Sequence, residues 1–232
     1  MKNKKGSHVD VVISFVIFIM FVVFIFILVR PAGDFEKDHK QTLEYLKLEI
    51  GEQISGEILT INLVNSSVQD AETCVSVDTT DLSISGLDSI AKNFDGDTLD
   101  SFNSGGVLQV EWNGESSFRT IYAASDFNSH VGSSGTCDSG VIKSTRESEE
   151  ILESKIIDLI LSYNSDYESL KSSFKISNRE DFDFQFDYDN GTILGTGISE
   201  VRTEIYVEKY QVNYLDKEAN RKSGYILLFV WG

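Results

Sequence analysis

Residues 11–29 read VVISFVIFIMFVVFIFILV, and Ser14 is the only one of these nineteen residues that is not apolar. At about 1.5 Å per residue, a helix of this length covers roughly 28 Å, which matches the hydrocarbon thickness of a bilayer. Apolar side chains surround the helix on every side, as is typical of a helix buried in a protein core or in lipid. The sequence therefore predicts a transmembrane helix over residues 11–30, with the lipid bilayer as its partner.

Basic residues predict the orientation of this helix. Three of the first five residues are lysines, and positive charges before a span stay on the cytoplasmic side, although Arg30 at the far end opposes this weakly. We expect residues 1–10 to form a basic cytoplasmic head at the cell membrane and residues 34–232 to lie outside. A cleaved secretory signal fits less well, because the run is long and lacks a small-x-small site.

The charge of the chain is distributed unevenly. It carries 20 basic and 37 acidic side chains, a net charge of −17, and only one of the acids precedes residue 34. A strongly acidic domain repels phosphate backbones, which excludes nucleic acid as an expected partner. Solvation of the surface is the simplest interpretation of so many acids.

Cys74 and Cys137 are the only cysteines and both lie in the predicted outer part. An even count in an oxidising compartment favours one disulfide, and two separate buried thiols are the alternative. The spacing shows no zinc-type pattern, so no metal site is predicted. Asn65 and Asn190 each begin an N-x-S/T sequon and are candidate glycosylation sites.

Asp10 lies at the edge of the apolar run and allows two interpretations. Its carboxylate is suited to the N-terminus of a helix, where the helix dipole favours an acid. Alternatively, it pairs with a positive group on a neighbouring subunit and contributes to assembly.

Beyond the apolar run, Pro31-Ala32-Gly33 is expected to break or kink the helix. An amphipathic helical extension then follows over residues 34–55. Its apolar residues recur at steps of three and four, and this stripe packs on the outer domain or, less favoured, on a partner helix. The stripe consists of Leu43, Leu46, Ile50 and Ile54.

From residue 56 onward the pattern is typical of β-structure, with one internal helix predicted over residues 144–164 from a capping box at Ser144 and Glu147. Residues 86–106 are predicted to form a surface loop. The predicted strands are 58–64, 74–77, 82–84, 107–112, 117–123, 182–188, 192–194, 201–214 and 225–231, with hairpin turns at Asn113-Gly114 and Asn190-Gly191 and a bulge near Val207.

These patterns predict the fold class α+β. An N-terminal transmembrane helix with an amphipathic extension is followed by a mainly antiparallel, β-rich extracytoplasmic domain over residues 56–232 that contains one internal helix.

A search for catalytic groups gives no persuasive constellation. The three histidines are His8, His39 and His130, and only His130 has a nearby serine-rich stretch and an acid, Asp126. Residues 172–175 match S-x-x-K without companion motifs. Residues 95–100 and 187–191 are acidic loops that fit ordinary turns or a weak Ca²⁺ site. We predict no catalytic residues, no cofactor and no enzymatic activity.

Lys4-Lys5-Gly6 before a long apolar helix resembles the class III signal of archaeal type IV pilins and pilin-like proteins. The resemblance implies cleavage after Gly6, which makes Lys5, Gly6 and Ser7 the processing site. It also implies that the helix stays in the membrane or packs in a filament core and carries a β-rich domain. The match covers the first 55 residues, and Ser7, His8 and the position of Asp10 depart from the usual pattern.

The sequence therefore predicts a membrane-anchored extracytoplasmic structural or binding protein, with copies of itself or other pilin-like subunits as partners. The alternative is a signal-anchored surface protein whose acidic β-rich domain binds a ligand, and a membrane-tethered enzyme is third.

Overall fold

The computed structural model describes residues 7–65, 74–82, 84, 86–112, 118–128, 137–195 and 204–232, with the backbone alone for residues 7–10, 28–38 and 65. Three helices and twelve strands make up this part of the chain. The helices are α1 (Ser7–Ile54), α2 (Glu153–Ser165) and α3 (Tyr167–Ser173). The strands are β1 (Ser55–Asn65), β2 (Cys74–Asp78), β3 (Asp88–Lys92), β4 (Thr98–Leu99), β5 (Ser101–Ser104), β6 (Val107–Glu111), β7 (Phe118–Ala124), β8 (Asp138–Leu152), β9 (Asp181–Tyr188), β10 (Ile193–Gly195), β11 (Tyr206–Leu215) and β12 (Arg221–Trp231).

Helix α1 has 48 residues and is therefore about 72 Å long. It continues through Pro31, so the predicted break at this position is wrong. A proline removes only one backbone donor, and the helical turns on both sides persist. The chain passes directly from Ile54 into β1.

Within the described part of the chain, no helix combines the length and the apolar character that crossing a membrane requires. The predicted fold class is therefore wrong in including a transmembrane helix over residues 11–30. The described apolar side chains begin at Val11 and end at Ile27, whereas a spanning helix needs about twenty such residues in succession.

The C-terminal part of α1 packs into the domain as the apolar stripe predicts. Leu46 and Ile50 are fully buried, and Leu43 and Ile54 are nearly so. They belong to one core cluster with side chains of α2 and of strands β9, β11 and β12, among them Phe182, Phe186 and Leu228. The stripe is therefore covered by its own domain, and the preferred interpretation of this segment is confirmed.

The strands form one large mixed sheet in the order β10-β9-β12-β11-β8-β1-β7-β3-β4, and β2, β6 and β5 pair away from this path. Most neighbours are antiparallel, but β8 is parallel to both β2 and β11. The prediction of one internal helix is also wrong, because the described part of the domain contains two, α2 and α3. The observed fold is β-rich, with a mixed sheet covered by helices.

The predicted helix over residues 144–164 is wrong in its first half. Ser144 and Glu147 lie in the middle of β8, where they pair with Asn62 and Leu59 of β1. Helix α2 begins only at Glu153, and its N-cap Leu152 makes no side-chain cap hydrogen bond. Long-range pairing with β1 therefore overrides a local capping signal in residues that have no apolar stripe of their own.

Three smaller predictions also fail. Residues 86–106 contain β3, β4 and β5 rather than a loop, and buried Ser89 and Ser101 join two of these strands by a 2.7 Å hydrogen bond. The strands β6 and β7 do not form a hairpin, because β6 pairs with β2 and β5. The β11–β12 register is continuous from Tyr206 to Leu215, so no bulge occurs near Val207.

The last third of the chain matches its sequence pattern more closely. The phenylalanines of β9 are buried as expected, and the turn at Asn190-Gly191 leads back into β10, with Gly191 at a φ of +82°. Strand β12 lies between β9 and β11, which confirms the prediction of a central strand. These strands carry the aromatic side chains against which α1 packs.

Cys74 and Cys137 form a disulfide across 63 residues of sequence, as predicted. Cys74 begins β2 and Cys137 precedes β8, directly beside the pair formed by Val75 and Asp138. The bond therefore ties the start of β2, which pairs with β6, to the start of β8, which pairs with β1 and β11.

We predict that Leu46→Ala lowers the free energy of unfolding by about 2–5 kcal/mol, because it leaves a cavity in a fully buried site. Leu48→Ala is the matched control on the same helix, since Leu48 is 73% exposed, and we expect a change under about 0.5 kcal/mol. Urea unfolding monitored by circular dichroism measures both. Equal effects would contradict the packing of α1 into the domain.

We predict that reducing the disulfide, or replacing both cysteines by serine, costs about 4 kcal/mol, because the bond closes a long loop in the unfolded chain. Urea midpoints with and without reductant measure the difference. The double serine variant is the control, because reductant should no longer change its midpoint; a shift there would show that reductant acts elsewhere.

Candidate functional site

The most unusual surface of the molecule is the N-terminal part of α1. Its sixteen large apolar side chains between Val11 and Ile27 are 43–69% exposed, with Ile19 the least and Met20 the most exposed. We call residues 11–27 the apolar arm. A surface this large and this apolar is rarely left in water, and usually marks an interaction site.

The base of the arm is held by polar contacts on one side of α1. His39 Nδ1 lies 3.0 Å from Glu180 Oε1, and the hydroxyl of Thr42 donates to the same carboxylate at 3.0 Å. The His39 ring stacks on Tyr206 at 4.7 Å. A cavity of about 680 Å³ opens here, bordered also by Lys175.

About two turns after His39, Lys47 ties α1 to β11. Its ammonium donates to Glu208 at 2.7 Å and lies 4.9 Å from the centre of the Tyr210 ring. The hydrogen bond to Glu208 is the main reason why the pKa of Lys47 is raised. Together with the buried stripe, these contacts fix the direction in which the arm leaves the domain.

The predicted processing residues lie at the start of this arm. Lys5 and Gly6 are outside the described residues, and α1 begins at Ser7. Asp10 is part of the helical backbone three residues later, and its side chain is not described. The structure therefore brings Ser7 and Asp10 into one helical turn.

The two candidate glycosylation residues occupy different settings. Asn65 ends β1, and the rest of its sequon lies outside the described residues. Asn190 is exposed in the turn between β9 and β10, where its Oδ1 accepts a 2.9 Å hydrogen bond from the backbone N–H of Thr192. Asn190 is thus presented at the surface, and modification of either residue stays a prediction.

The acidic loops do not assemble into a cation site in the part of the chain that the structure describes, where no group of three or more potential ligands occurs. In residues 93–98, Asn93 and Asp97 instead hydrogen-bond to each other and close the turn. This favours the ordinary acidic turn over a Ca²⁺ site there.

The residues that were weighed for catalysis are scattered. His39 is paired with Glu180, His130 lies outside the described residues, and Asp126 accepts a hydrogen bond from its neighbour Ser125. Lys175, the last residue of the S-x-x-K match, follows α3 with a φ of +55°. These positions do not converge on one site in the described structure.

A second cavity, of about 760 Å³, was not foreseen from the sequence. It lies between the start of α2 and the β9–β10 turn, with Tyr188 and Tyr214 in its wall at a ring separation of 6.0 Å. Burial raises the pKa of both phenols, and Glu153 raises that of Tyr188 further by accepting its hydrogen bond. Such a mixture of aromatic and polar side chains is typical of small-ligand pockets.

Asp183 is a buried acid in β9, with only 1% of its surface exposed. Burial raises its pKa to about 6, against the opposing effect of a 2.6 Å hydrogen bond from the backbone N–H of Phe184. Simple alternation along β9 places this side chain on the polar face, so its burial could not be predicted from the sequence pattern.

The chain matches no known protein-family model, no curated protein and no solved structure. The resemblance to pilin-like proteins therefore stays a prediction from the N-terminal residues, and the argument for function depends on the geometry above.

We predict that the contribution of Asp183 to the stability of the protein falls as the pH rises from about 4 to 6. The folded state keeps a proton on Asp183 that the unfolded state has already released, so ionisation favours unfolding. Above pH 6, Asp183→Asn should be more stable than the original by on the order of 2 kcal/mol.

Chemical unfolding at several pH values measures this difference. Asp189→Asn is the matched control, since Asp189 lies exposed in the adjacent turn. A profile for Asp183→Asn that parallels the original between pH 4 and 6 would contradict the assignment.

Proposed function

We propose that this protein is a structural subunit that assembles with copies of itself through the apolar arm, in the manner of type IV pilin-like proteins. The observation that carries the proposal is the exposure of all sixteen large apolar side chains over residues 11–27, at the end of a helix whose other end is anchored in a folded domain. No reaction is assigned to the chain.

The distribution of the exposed side chains supports an assembly of several helices. A two-helix contact needs only one apolar stripe, whereas here every side of the arm is apolar. The arm contains no glycine, so the close crossing that small residues permit is not expected either. A central arm surrounded by arms of neighbouring copies covers all of this surface.

The N-terminal residues suggest how such copies align. Cleavage after Gly6 leaves a positively charged amino group on Ser7, three residues before Asp10. In a bundle of apolar helices, that group and the Asp10 carboxylate of a neighbour stabilise one another, because either charge alone is costly in a medium of low dielectric constant. The pair therefore sets the register between neighbouring arms.

Two observations support a location of the β-rich domain outside the cytoplasm. The disulfide between Cys74 and Cys137 is typical of an oxidising compartment. The sequon at Asn190 lies in an exposed turn, where a modifying enzyme has access. Both fit a domain displayed on the surface of an assembly.

Because α1 is a single helix, the arm and the domain are mechanically connected. Residues of the apolar arm and buried Leu46 belong to the same run of backbone hydrogen bonds. Packing of the arms therefore determines how the domains are arranged around them.

A second candidate function is ligand binding by the domain, supported by the cavity with Tyr188 and Tyr214 in its wall. Glu153 and Asp189 border the same cavity, and Lys222 there is already paired with Asp216 at 2.8 Å. This role is compatible with assembly, since the cavity is built from α2 and the last strands rather than from the arm.

We predict that Ile17→Glu abolishes assembly, because a buried unpaired carboxylate costs on the order of several kcal/mol in each contact. Leu48→Glu is the matched control, since Ile17 and Leu48 are both exposed apolar residues of α1, at 63% and 73%. Electron microscopy and sedimentation of native material measure assembly, and circular dichroism verifies folding.

Asp10→Ala tests the proposed charge pair, with Glu44→Ala on the exposed side of α1 as its control. We expect loss of assembly for the first variant only, and N-terminal sequencing should find Ser7 as the first residue. Native material without assemblies in the electron microscope, or an intact Met1, would contradict the proposal and favour a surface protein whose arm is covered by lipid.

A further inference from the structure

The cavity between the start of α2 and the β9–β10 turn contains an unsatisfied polar group. Tyr214 of β11 borders this cavity, and only 3% of its surface is exposed. Its hydroxyl forms no hydrogen bond with any residue that the structure describes. Glu153, Asp189 and Lys222 border the same cavity and act electrostatically on this phenol, so its hydroxyl end faces them. Because a buried hydroxyl without a partner is costly, this one is suited to a bound ligand.

The aromatic part of the wall is held in place from behind. Phe186 has no exposed surface and contacts Tyr188 and Tyr214 edge to face, at ring separations of 4.8 and 5.3 Å. Gly224 makes room for Phe186, since a Cβ atom there would lie 2.6 Å from the end of its ring. Packing therefore fixes both tyrosine rings before any ligand binds, which lowers the entropic cost of binding.

The charged side chains of the wall leave a surplus of negative charge. Arg221 and Lys222 are each bound to an acid that does not border the cavity, at 3.0 and 2.8 Å. Glu153 attracts Lys222, but neither Glu153 nor Asp189 forms a salt bridge with any described residue. A cavity with two such carboxylates attracts cations and repels anions.

An organic cation fits this wall better than a metal ion. Among the described residues, no group of three or more potential metal ligands occurs. Half-buried Ile157 and Leu194 border the cavity together with the two tyrosine rings. The faces of aromatic rings attract organic cations, and apolar side chains pack against an alkyl chain. The wall is therefore suited to a cation that carries an aliphatic stem.

We propose that this cavity binds a primary aliphatic ammonium ion. The inference rests on the second candidate function above, ligand binding by the domain, and names the class of ligand. An ammonium group has three N–H donors, and Glu153, Asp189 and Tyr214 each supply an acceptor. A quaternary ammonium ion has the same charge but no N–H group, so it would leave the Tyr214 hydroxyl unsatisfied.

Three probes with the same four-carbon stem separate charge from hydrogen bonding. Near neutral pH, n-butylamine is an ammonium ion and 1-butanol is uncharged, while butyltrimethylammonium has the charge without N–H groups. Titrations of the full chain in mild detergent, followed by the carbon-13 ring signals of Tyr188 and Tyr214, measure binding. We expect n-butylamine to bind at least about tenfold more tightly than either of the other probes, because only it offers both a charge and donors.

Tyr214→Phe tests the unsatisfied hydroxyl. Because this hydroxyl has no partner among the described residues, the variant should be at least as stable as the original, yet bind n-butylamine about tenfold more weakly. Tyr210→Phe is the matched control. Tyr210 lies on the same face of β11, and its hydroxyl is also buried without a partner in the described structure, but it does not border the cavity. Its replacement should leave the affinity unchanged.

Glu153→Gln tests the charge. The variant loses a negative charge but keeps an oxygen that can accept the hydrogen bond from Tyr188. We expect about tenfold weaker binding of n-butylamine and no change for 1-butanol. Asp158→Asn is the matched control, since Asp158 is an exposed acid of α2 that does not border the cavity. Circular dichroism verifies that each variant is folded.

The outcomes separate this inference from the function on which it rests. An affinity for 1-butanol or butyltrimethylammonium equal to that for n-butylamine would overturn the proposed ligand class and leave ligand binding by the domain intact. If none of the probes shifts the tyrosine signals, the inference and the second candidate function both fail. Unchanged affinity of folded Tyr214→Phe and Glu153→Gln would also overturn the inference. Assembly has no bearing on these results, because every variant keeps the original arm.

Discussion

The burial of the α1 stripe in the aromatic core of the C-terminal strands is the interaction on which the arrangement of the molecule depends. Leu46 and Ile50 have no exposed surface, and they lie in the same cluster as Phe182 and Phe186. Roughly 2 kcal/mol for each fully buried large apolar side chain is enough to hold one end of the helix firmly. The other end then projects with its apolar side chains uncovered, and this asymmetry motivates the proposed assembly.

Strand β8 joins the two parts of the domain. It pairs with β1, which belongs to the core formed with β7, and it meets β11 of the aromatic core only at its last two residues. A polar network supports this junction: Lys92 of β3 donates to Asn220 at 2.6 Å, and Asn220 donates to Asp216 at 3.0 Å. Because β8 serves both parts yet touches β11 so briefly, no described strand lies along the middle of its outer edge.

The molecule therefore carries two kinds of uncovered surface with different physical character. The apolar arm is driven out of water without preference for direction, since the hydrophobic effect is not directional. The edge of β8 offers directional hydrogen bonds from its unpaired backbone groups.

The sequence by itself determined the features that depend on neighbouring residues. The apolar run, the buried stripe of α1, the disulfide, the β9–β10 hairpin and the central strand β12 all follow from composition, period or turn residues. It also suggested the processing residues and Asp10, which the tertiary structure leaves as predictions.

Only the tertiary structure decided which segments pair at long range. Ser144 and Glu147 satisfy a helix signal locally, but the ladder with β1 supplies partners for the backbone of β8 that outweigh it. Short polar strands such as β4 and β5 have no pattern that distinguishes them from loops. The burial of Asp183 and the open edge of β8 likewise depend on what the rest of the chain brings next to them, which local periodicity does not encode.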